Sequence, residues 1–134
     1  MNKGEALAVE YLKTQPNVKK VMKRTKNKLF LVEGEVMTKK QAKNYKKTHK
    51  SYSKRIAAKQ RSMDITGEYY GCKFYATQKW VAEKEGGGYQ GDVFDEMASW
   101  IKEANLNKNP KQILVAIVDG GFWNPKRVKQ LQKL

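Results

Sequence analysis

The chain has 134 residues, enough for one domain, and its formal net charge is +15. A single cysteine, Cys72, excludes an internal disulfide and a cysteine-cluster metal site, and a single histidine, His49, argues against a histidine-based zinc site or a Ser-His-Asp triad. No apolar run approaches the roughly 20 residues of a membrane span, and the first five residues contain an acid where a signal peptide would be apolar, so we expect a cytoplasmic protein without a membrane partner.

The first half of the sequence carries almost all of the excess positive charge. Residues 1–63 have a net charge of +14, whereas residues 64–134 have a net charge of +1. Charge of one sign at this density opposes folding through self-repulsion, and a polyanion relieves it as phosphate contacts release counterions. Charge alone therefore indicates a class of polyanionic partner, because nucleic acid, a ribosome and an anionic membrane would all account for it.

Short strands follow the first predicted helix. The spacing of apolar residues predicts a helix over residues 3–14, and a proline lies just beyond its end. Alternation then predicts strands over residues 18–24 and 29–32. These two strands are expected to form a basic hairpin.

A long basic helix is predicted next. Thr38 and Gln41 have the spacing of a capping box, and the helix after them is expected to run to about Arg61. Its apolar stripe is thin and its basic face is broad. Tyr45 and Tyr52 lie among the lysines, so they are expected either to stack on nucleic-acid bases or to pack against the sheet.

The second half of the sequence has the pattern of an ordinary α/β unit. Its predicted elements are a strand start at 63–66, a turn at 67–71, a strand over 73–81, a loop at 86–88, a helix over 92–104, a strand over 113–118 and a helix from Asn124. The apolar strand 113–118 is typical of a central strand covered on both faces. The order of elements predicts a mixed sheet with helices on both faces.

Asp64 and Lys79 are the residues with which this sequence could perform hydrolytic chemistry. They lie on two successive predicted strands, so we expect an acid and a lysine at one place. A carboxylate binds a hard cation through oxygen, the cation acidifies a bound water, and a lysine orients that water or offsets developing charge. Glu10 on the first helix is the candidate further acid. In the alternative interpretation, Asp64 is a structural acid paired with Lys73 or Lys79.

The stretch from Met63 to Lys79 resembles the core of the PD-(D/E)XK nucleases, a superfamily that includes restriction endonucleases and Holliday-junction resolvases. Their pattern is an aspartate on one strand, then an acid, any residue and a lysine on the next. The later order of Gly87-Gly88-Tyr89, Asp95-Glu96-Met97 and an apolar strand ending in Asp119-Gly120-Gly121 is similar to the cleavage domains of type IIS restriction endonucleases. The resemblance implies a restriction-endonuclease-like fold, a DNA substrate and Mg²⁺ or Mn²⁺ as the cofactor.

The position of the family's second acid is occupied by Thr77, which has no carboxylate. In one interpretation, Thr77 or the Gln78 carbonyl completes the metal shell and another acid (Glu10, Glu68 or Glu83) supplies charge. In a second, Glu83-Lys84-Glu85 is the displaced motif, and in a third the site is degenerate and the protein only binds. The predicted catalytic residues are Asp64, Lys79, Thr77, Gln78 and Glu10, and the predicted metal ligands are Asp64, Gln78 and Glu10.

The sequence thus predicts one α/β domain over residues 1–134, in which residues 18–62 form an added basic hairpin-plus-helix arm along the phosphate backbone. We expect a metal-dependent DNA endonuclease directed by DNA structure or by a partner chain, since little room remains for a base-reading module. It is expected to be a homodimer if both strands are cut. The alternatives are a catalytically inactive nucleic-acid-binding protein of the same fold and an accessory protein of a nucleoprotein complex. The residues predicted to bind nucleic acid are Lys19, Lys20, Lys23, Arg24, Lys39, Lys40, Lys43, Lys46, Lys47, Lys50, Lys54 and Arg55.

Overall fold

A computed structural model describes residues 3–55, 60–83 and 87–134, and it gives only the backbone for Lys3, Arg55 and residues 87–90. The elements in chain order are α1 (Lys3–Thr14), β1 (Val18–Lys23), β2 (Leu29–Val32), β3 (Glu35–Thr38), α2 (Lys39–Thr48), α3 (Lys50–Arg55), β4 (Ser62–Met63), β5 (Ile65–Tyr69), β6 (Cys72–Trp80), α4 (Gly87–Ala104), β7 (Gln112–Asp119) and α5 (Pro125–Gln132). None of the helices in these ranges combines the length and apolar character that crossing a membrane requires.

The predicted α/β class with a mixed central sheet flanked by helices is confirmed. The large sheet has the order β1-β5-β6-β7, in which β6 and β7 are parallel and the other pairs are antiparallel. A second sheet has the order β3-β2-β4. The parallel pair is joined through α4, because parallel strands need a crossover connection.

The two faces of the large sheet are covered by different elements. Helix α1 packs Ala8, Val9 and Leu12 against one face, where they meet Ile65 and Phe74. On the other face, Trp100 of α4 packs with Leu31 and Met63 of the small sheet, and the same cluster takes in Tyr75 and Leu114 of the large sheet. Helix α5 and the loop before it form a further apolar cluster with α4.

Three predicted elements differ from the structure in place or extent. The strand predicted at 18–24 belongs to the large sheet as β1, so it is not part of a hairpin with β2. The turn predicted at 67–71 shortens to Tyr70 and Gly71, whose positive φ angles of 51° and 77° are those of a two-residue hairpin turn. The loop predicted at 86–88 is partly helical, since α4 begins at Gly87, and residue 86 lies outside the described residues.

The prediction that the strand at 113–118 is central is wrong. In the described part of the chain, β7 is the edge strand of the large sheet and most of its residues are half-buried. A cavity of about 560 Å³ lies between β7 and α1, and its lining includes Leu7 and Tyr11. The apolar run therefore reflects packing against α4 and α1 rather than a strand on either side.

In the part of the predicted range 38–61 that the structure describes, the helix is divided into α2 and α3, and residues 56–59 lie outside the described residues. Its start is as predicted, because Thr38 and Gln41 form the reciprocal hydrogen bonds of a capping box. The helix ends at His49, whose backbone angles (φ −125°, ψ 72°) are not helical and whose ring stacks on Tyr45 at 3.8 Å between ring centroids. The break allows Tyr52 of α3 to pack into the cluster formed by Val32 and Ala42.

Candidate active site and basic surface

Asp64 lies at the point where the chain passes from the small sheet to the large one. Met63 pairs with Leu29 of β2, whereas Ile65 pairs with Ala76 of β6, so Asp64 is the single residue between two pairings. Its backbone carbonyl accepts a hydrogen bond from the Arg24 amide at 2.6 Å. The change of sheet thus fixes the backbone of Asp64 from both sides.

The Asp64 carboxylate is mostly buried and has two polar neighbours. Its Oδ1 accepts a hydrogen bond from the Ser62 hydroxyl at 2.7 Å, and its Oδ2 lies 3.9 Å from the Lys28 Nζ. Lys28 is half-exposed, so this long ion pair adds little to stability. The partner in the structural alternative is therefore Lys28, which the sequence analysis did not single out.

Asp64 and Lys79 line the same cavity, as the strand pattern predicts. The cavity has a volume of about 420 Å³. Its lining residues are Gly4, Glu5, Arg61, Asp64, Gln78, Lys79 and Trp80. Two carboxylates and two cationic side chains therefore meet in one small space, the combination expected of a site that handles a charged group.

The acid that α1 brings to this cavity is Glu5, not the predicted Glu10. Glu10 lies on the exposed face of the helix. Glu5 pairs with Lys23 at 2.5 Å, and both side chains are largely buried. Gly4 allows the close approach, because a Cβ there would lie 2.7 Å from the Gln78 side chain. Glu5 precedes the buried Ala8 and Val9 by one helical turn, and this spacing is the sequence signal that could have identified it.

Thr77 and the Gln78 carbonyl are both held by Arg61, a residue that the sequence analysis did not select. Thr77 is 1% exposed, and its hydroxyl donates to the Ser62 carbonyl and accepts from the Arg61 Nε, each at 3.1 Å. The Arg61 Nη2 donates to the Gln78 carbonyl at 2.7 Å, and its Nη1 lies 3.5 Å from the Glu96 Oε2. The guanidinium therefore joins β6 to α4.

The remaining predicted acids lie away from this cavity or outside the described residues. Glu68 on β5 forms an ion pair with Lys20 at 3.3 Å. Glu83 is exposed beyond the end of β6, and Lys84 and Glu85 lie outside the described residues.

The residues around the cavity do not fit Mg²⁺ or Mn²⁺ in the predicted arrangement. Such a cation takes several oxygen ligands, including carboxylates. Within residues 3–55, 60–83 and 87–134, no group of three or more acidic, histidine or cysteine side chains could hold a metal ion. Of the predicted ligands, Asp64 lines the cavity, Glu10 lies on the exposed face of α1, and the Gln78 carbonyl is bonded to Arg61.

Most of the predicted nucleic-acid-binding lysines are exposed. Residues 36–63 contain ten Lys or Arg and no Asp or Glu, so α2 and α3 present cations without intervening acids. Lys46 is half-buried, and the Arg55 side chain lies outside the described residues. The exposed members of the predicted set are Lys19, Lys20, Lys39, Lys40, Lys43, Lys47, Lys50 and Lys54.

Lys23 and Arg24 have structural partners instead. Lys23 is bonded to Glu5, and the Arg24 Nε and Nη2 donate to the Asn27 carbonyl at 3.2 and 3.1 Å. Arg24 also lines a groove of about 360 Å³ with Lys20 of β1 and Lys73 of β6, and Glu68, the partner of Lys20, lies in the same groove. Lys73, which is not among the residues predicted to bind nucleic acid, thus lines one groove with two that are, Lys20 and Arg24.

Tyr52 belongs to the core and Tyr45 packs against it half-buried, which agrees with the packing alternative. A hydrogen bond from the Tyr45 hydroxyl to Glu33 raises the pKa of Tyr45 above its ordinary value. Tyr52 is buried, and this burial raises the pKa of Tyr52 above its ordinary value. A hydrogen bond to Glu103 is the second cause of the increase. Their rings meet edge to face at 5.4 Å between centroids.

Comparisons with known proteins assign no family to this chain. No protein-family model, no curated protein and no solved structure matches it. The resemblance to the PD-(D/E)XK nucleases stays a prediction from the residues.

Proposed function

We propose that this protein binds DNA through the lysines of α2 and α3, with a restriction-endonuclease-like fold beneath them. The observation that carries this proposal is the acid-free stretch 36–63, in which the lysines are mostly exposed. An exposed cluster of one sign binds a polyanion by releasing counterions from its phosphates. Such contacts hold the sugar-phosphate backbone of the DNA and do not distinguish between base sequences.

The basic groove supports a path for the DNA from this surface toward the cavity. Lys20 of β1 and Lys73 of β6 line the groove, and Lys20 is paired there with Glu68. Lys28 lies next to Asp64. Lys28 is thus paired with a residue that lines the cavity together with Lys79. Local cations of this kind raise the concentration of an anionic ligand near the site.

The order of elements supports the proposed fold. Strand β6 is followed by α4, which contains Asp95 to Met97, and then by β7, which ends before Gly120 at a φ of 98°. This is the order that the resemblance to type IIS cleavage domains implies.

The test compares two sets of four lysines in DNA binding. Changing Lys39, Lys40, Lys43 and Lys47 to Gln should weaken binding to duplex DNA and flatten the dependence of log K on log salt by about 0.9 for each lost phosphate contact. The control changes an equal charge, at the exposed residues Lys102, Lys108, Lys111 and Lys126. It should keep the wild-type slope, as measured by fluorescence anisotropy at several salt concentrations. Equal slopes for the two sets would remove α2 from the contact surface.

A metal-dependent DNA endonuclease is the second candidate, favoured by the presence of Asp64, Lys79 and Glu5 in one cavity. Structure-directed or partner-directed cleavage and a homodimer belong to this candidate, since one site cuts one strand. It requires Arg61 to release the Gln78 carbonyl before a cation binds there.

A cleavage assay separates the two candidates. Branched, duplex and single-stranded DNA are incubated with Mg²⁺ or Mn²⁺ and wild-type protein. An endonuclease loses at least about 100-fold in rate on Asp64→Asn, Lys79→Met or Glu5→Gln, because each removes a charged group from the site. Glu10→Gln is the matched control, since Glu10 lies on the exposed face of the same helix. DNA binding without cleavage in either metal excludes the endonuclease and supports the binding protein.

A further inference from the structure

We propose that Arg61 is a tethered cation that takes the place of a divalent metal ion in the cavity beside Asp64. Its guanidinium contacts three oxygen acceptors from two elements: the Thr77 hydroxyl, the Gln78 carbonyl and the Glu96 carboxylate. Its side chain is 13% exposed, so these contacts lie in the interior. The proposal concerns the free protein and goes beyond DNA binding.

The acceptors of Arg61 include the oxygens that a metal ion would need. A hard cation takes carbonyl, hydroxyl and carboxylate oxygens at roughly 2.0–2.6 Å. The Gln78 carbonyl already accepts a charge-assisted hydrogen bond from Arg61 at 2.7 Å. A guanidinium and a metal ion cannot both occupy the space in front of this oxygen. Because arginine stays protonated at all working pH values, a change of pH does not release the guanidinium of Arg61 from the Gln78 carbonyl.

A neutral hydroxyl at residue 77 is the side chain that suits a neighbouring guanidinium at Arg61. The Thr77 hydroxyl accepts from Arg61 and donates to the Ser62 carbonyl, so its proton is used within the protein. The single positive charge of Arg61 is balanced by Glu96, with no carboxylate at position 77. The second carboxylate of the cavity, Glu5, is paired with Lys23, so a divalent ion would find only Asp64 and a neutral hydroxyl as further oxygen ligands. The neutral side chain of Thr77 and the guanidinium of Arg61 therefore fit together as a site that holds no metal ion.

Mn²⁺ binding to the free protein tests this proposal without DNA. The Mn²⁺ is titrated and followed by the electron paramagnetic resonance signal of the free ion, for the wild type and for Asp64→Asn. We expect identical isotherms for these two proteins, because no metal ion binds at Asp64. A wild-type site that Asp64→Asn removes would overturn the proposal.

Placing a carboxylate at residue 77 and removing the guanidinium of Arg61 should create a metal site. The double variant Arg61→Met with Thr77→Glu is expected to gain one Mn²⁺ site at least about tenfold tighter than any in the wild type. Adding Asp64→Asn should remove it. Thr77→Glu alone should gain nothing, because Arg61 would pair with the new carboxylate.

Folding of the variants is checked by cooperative thermal unfolding followed by circular dichroism. A folded double variant that binds no Mn²⁺ contradicts the proposal. If the double variant does not fold, the comparison of wild type with Asp64→Asn decides on its own. The two proposals fail separately. A protein that does not bind DNA would still give the Mn²⁺ results expected here, and a wild-type Mn²⁺ site would not argue against DNA binding.

Discussion

Tyr52 lies in the basic half of the chain, yet its hydroxyl is held by an acid from the other half. The side chain is 4% exposed, and its hydroxyl contacts Glu103 of α4 and accepts from the Gln60 Nε2 at 3.0 Å. Glu103 is itself 5% exposed, and its Oε1 has no hydrogen-bond partner within the described residues. A buried carboxylate that lost its hydroxyl partner would carry a large desolvation penalty.

Replacing Tyr52 with Phe should lower the free energy of unfolding by about 1–3 kcal/mol, because Glu103 loses a buried hydrogen bond while the ring is kept. Urea denaturation at neutral pH measures the change. Tyr11→Phe is the control, since Tyr11 is exposed and should change stability by less than about 0.5 kcal/mol. Equal stability of the two variants would show that the hydroxyl of Tyr52 adds nothing.

The same residue should make the protein less stable in alkali. The folded state keeps the Tyr52 proton above the ordinary pKa of 10.0, whereas the unfolded chain releases it near that pH. The contribution of the protonated Tyr52 hydroxyl to the free energy of unfolding is therefore fully present below pH 10 and is lost as the pH rises further. The free energy of unfolding of the wild type should fall more steeply above pH 10 than that of Tyr52→Phe.

At the scale of elements, the small sheet is joined to the body at the turn between β2 and β3. Gly34 has a φ of 86°, and a Cβ there would lie 2.4 Å from the backbone carbon of Leu106. Its carbonyl accepts a hydrogen bond from the Gln112 Nε2 at 3.0 Å. The backbone contact and the hydrogen bond together fix where β2 sits against α4 and β7.

Gly34→Ala should destabilise the protein by more than Gly71→Ala. Both positions have a positive φ, which costs an alanine about 1–2 kcal/mol, but a Cβ at Gly71 meets no atom within 4 Å. The alanine at 34 must also push the backbone of residue 106 away. Urea denaturation of the two variants measures the difference. An equal decrease in the free energy of unfolding would mean that the turn between β2 and β3 shifts away from residue 106 at no cost.

At the scale of the whole molecule, almost all of the excess positive charge lies in the first half of the sequence, which contributes to both sheets. The first 63 residues carry a net charge of +14 and include the small sheet, α2 and α3. Ion pairs with Glu5 and Glu68 offset Lys23 and Lys20. Most of the remaining lysines face solvent, where they repel one another.

The free energy of unfolding should therefore rise with salt. Between ~0.02 M and ~0.5 M NaCl the Debye length shortens severalfold, so repulsion among the exposed lysines weakens. Urea denaturation at the two salt concentrations measures the effect. The variant with Gln at positions 39, 40, 43 and 47 should show a smaller rise. A wild-type stability that is flat or falls with NaCl would mean that self-repulsion is unimportant in this fold.

The start of each of two helices and the asymmetry of charge were determined by the sequence itself. Both helix starts form within one turn of chain, so they need no distant partner. One is the capping box of Thr38 and Gln41, and the other is the N-cap Asn124 before Pro125. The strand pattern also placed Asp64 and Lys79 at one cavity, because neighbouring strands alternate with a fixed period.

Only the tertiary structure decided what surrounds these two residues. The break at His49 depends on Tyr52 reaching the core of the small sheet, and the edge position of β7 depends on which strands pair. Likewise, Glu5 enters the cavity from α1 and Arg61 from the residue before β4, so neither comes from β5 or β6. Contacts between distant segments depend on how the elements pack, and a pattern read along one segment carries no information about them.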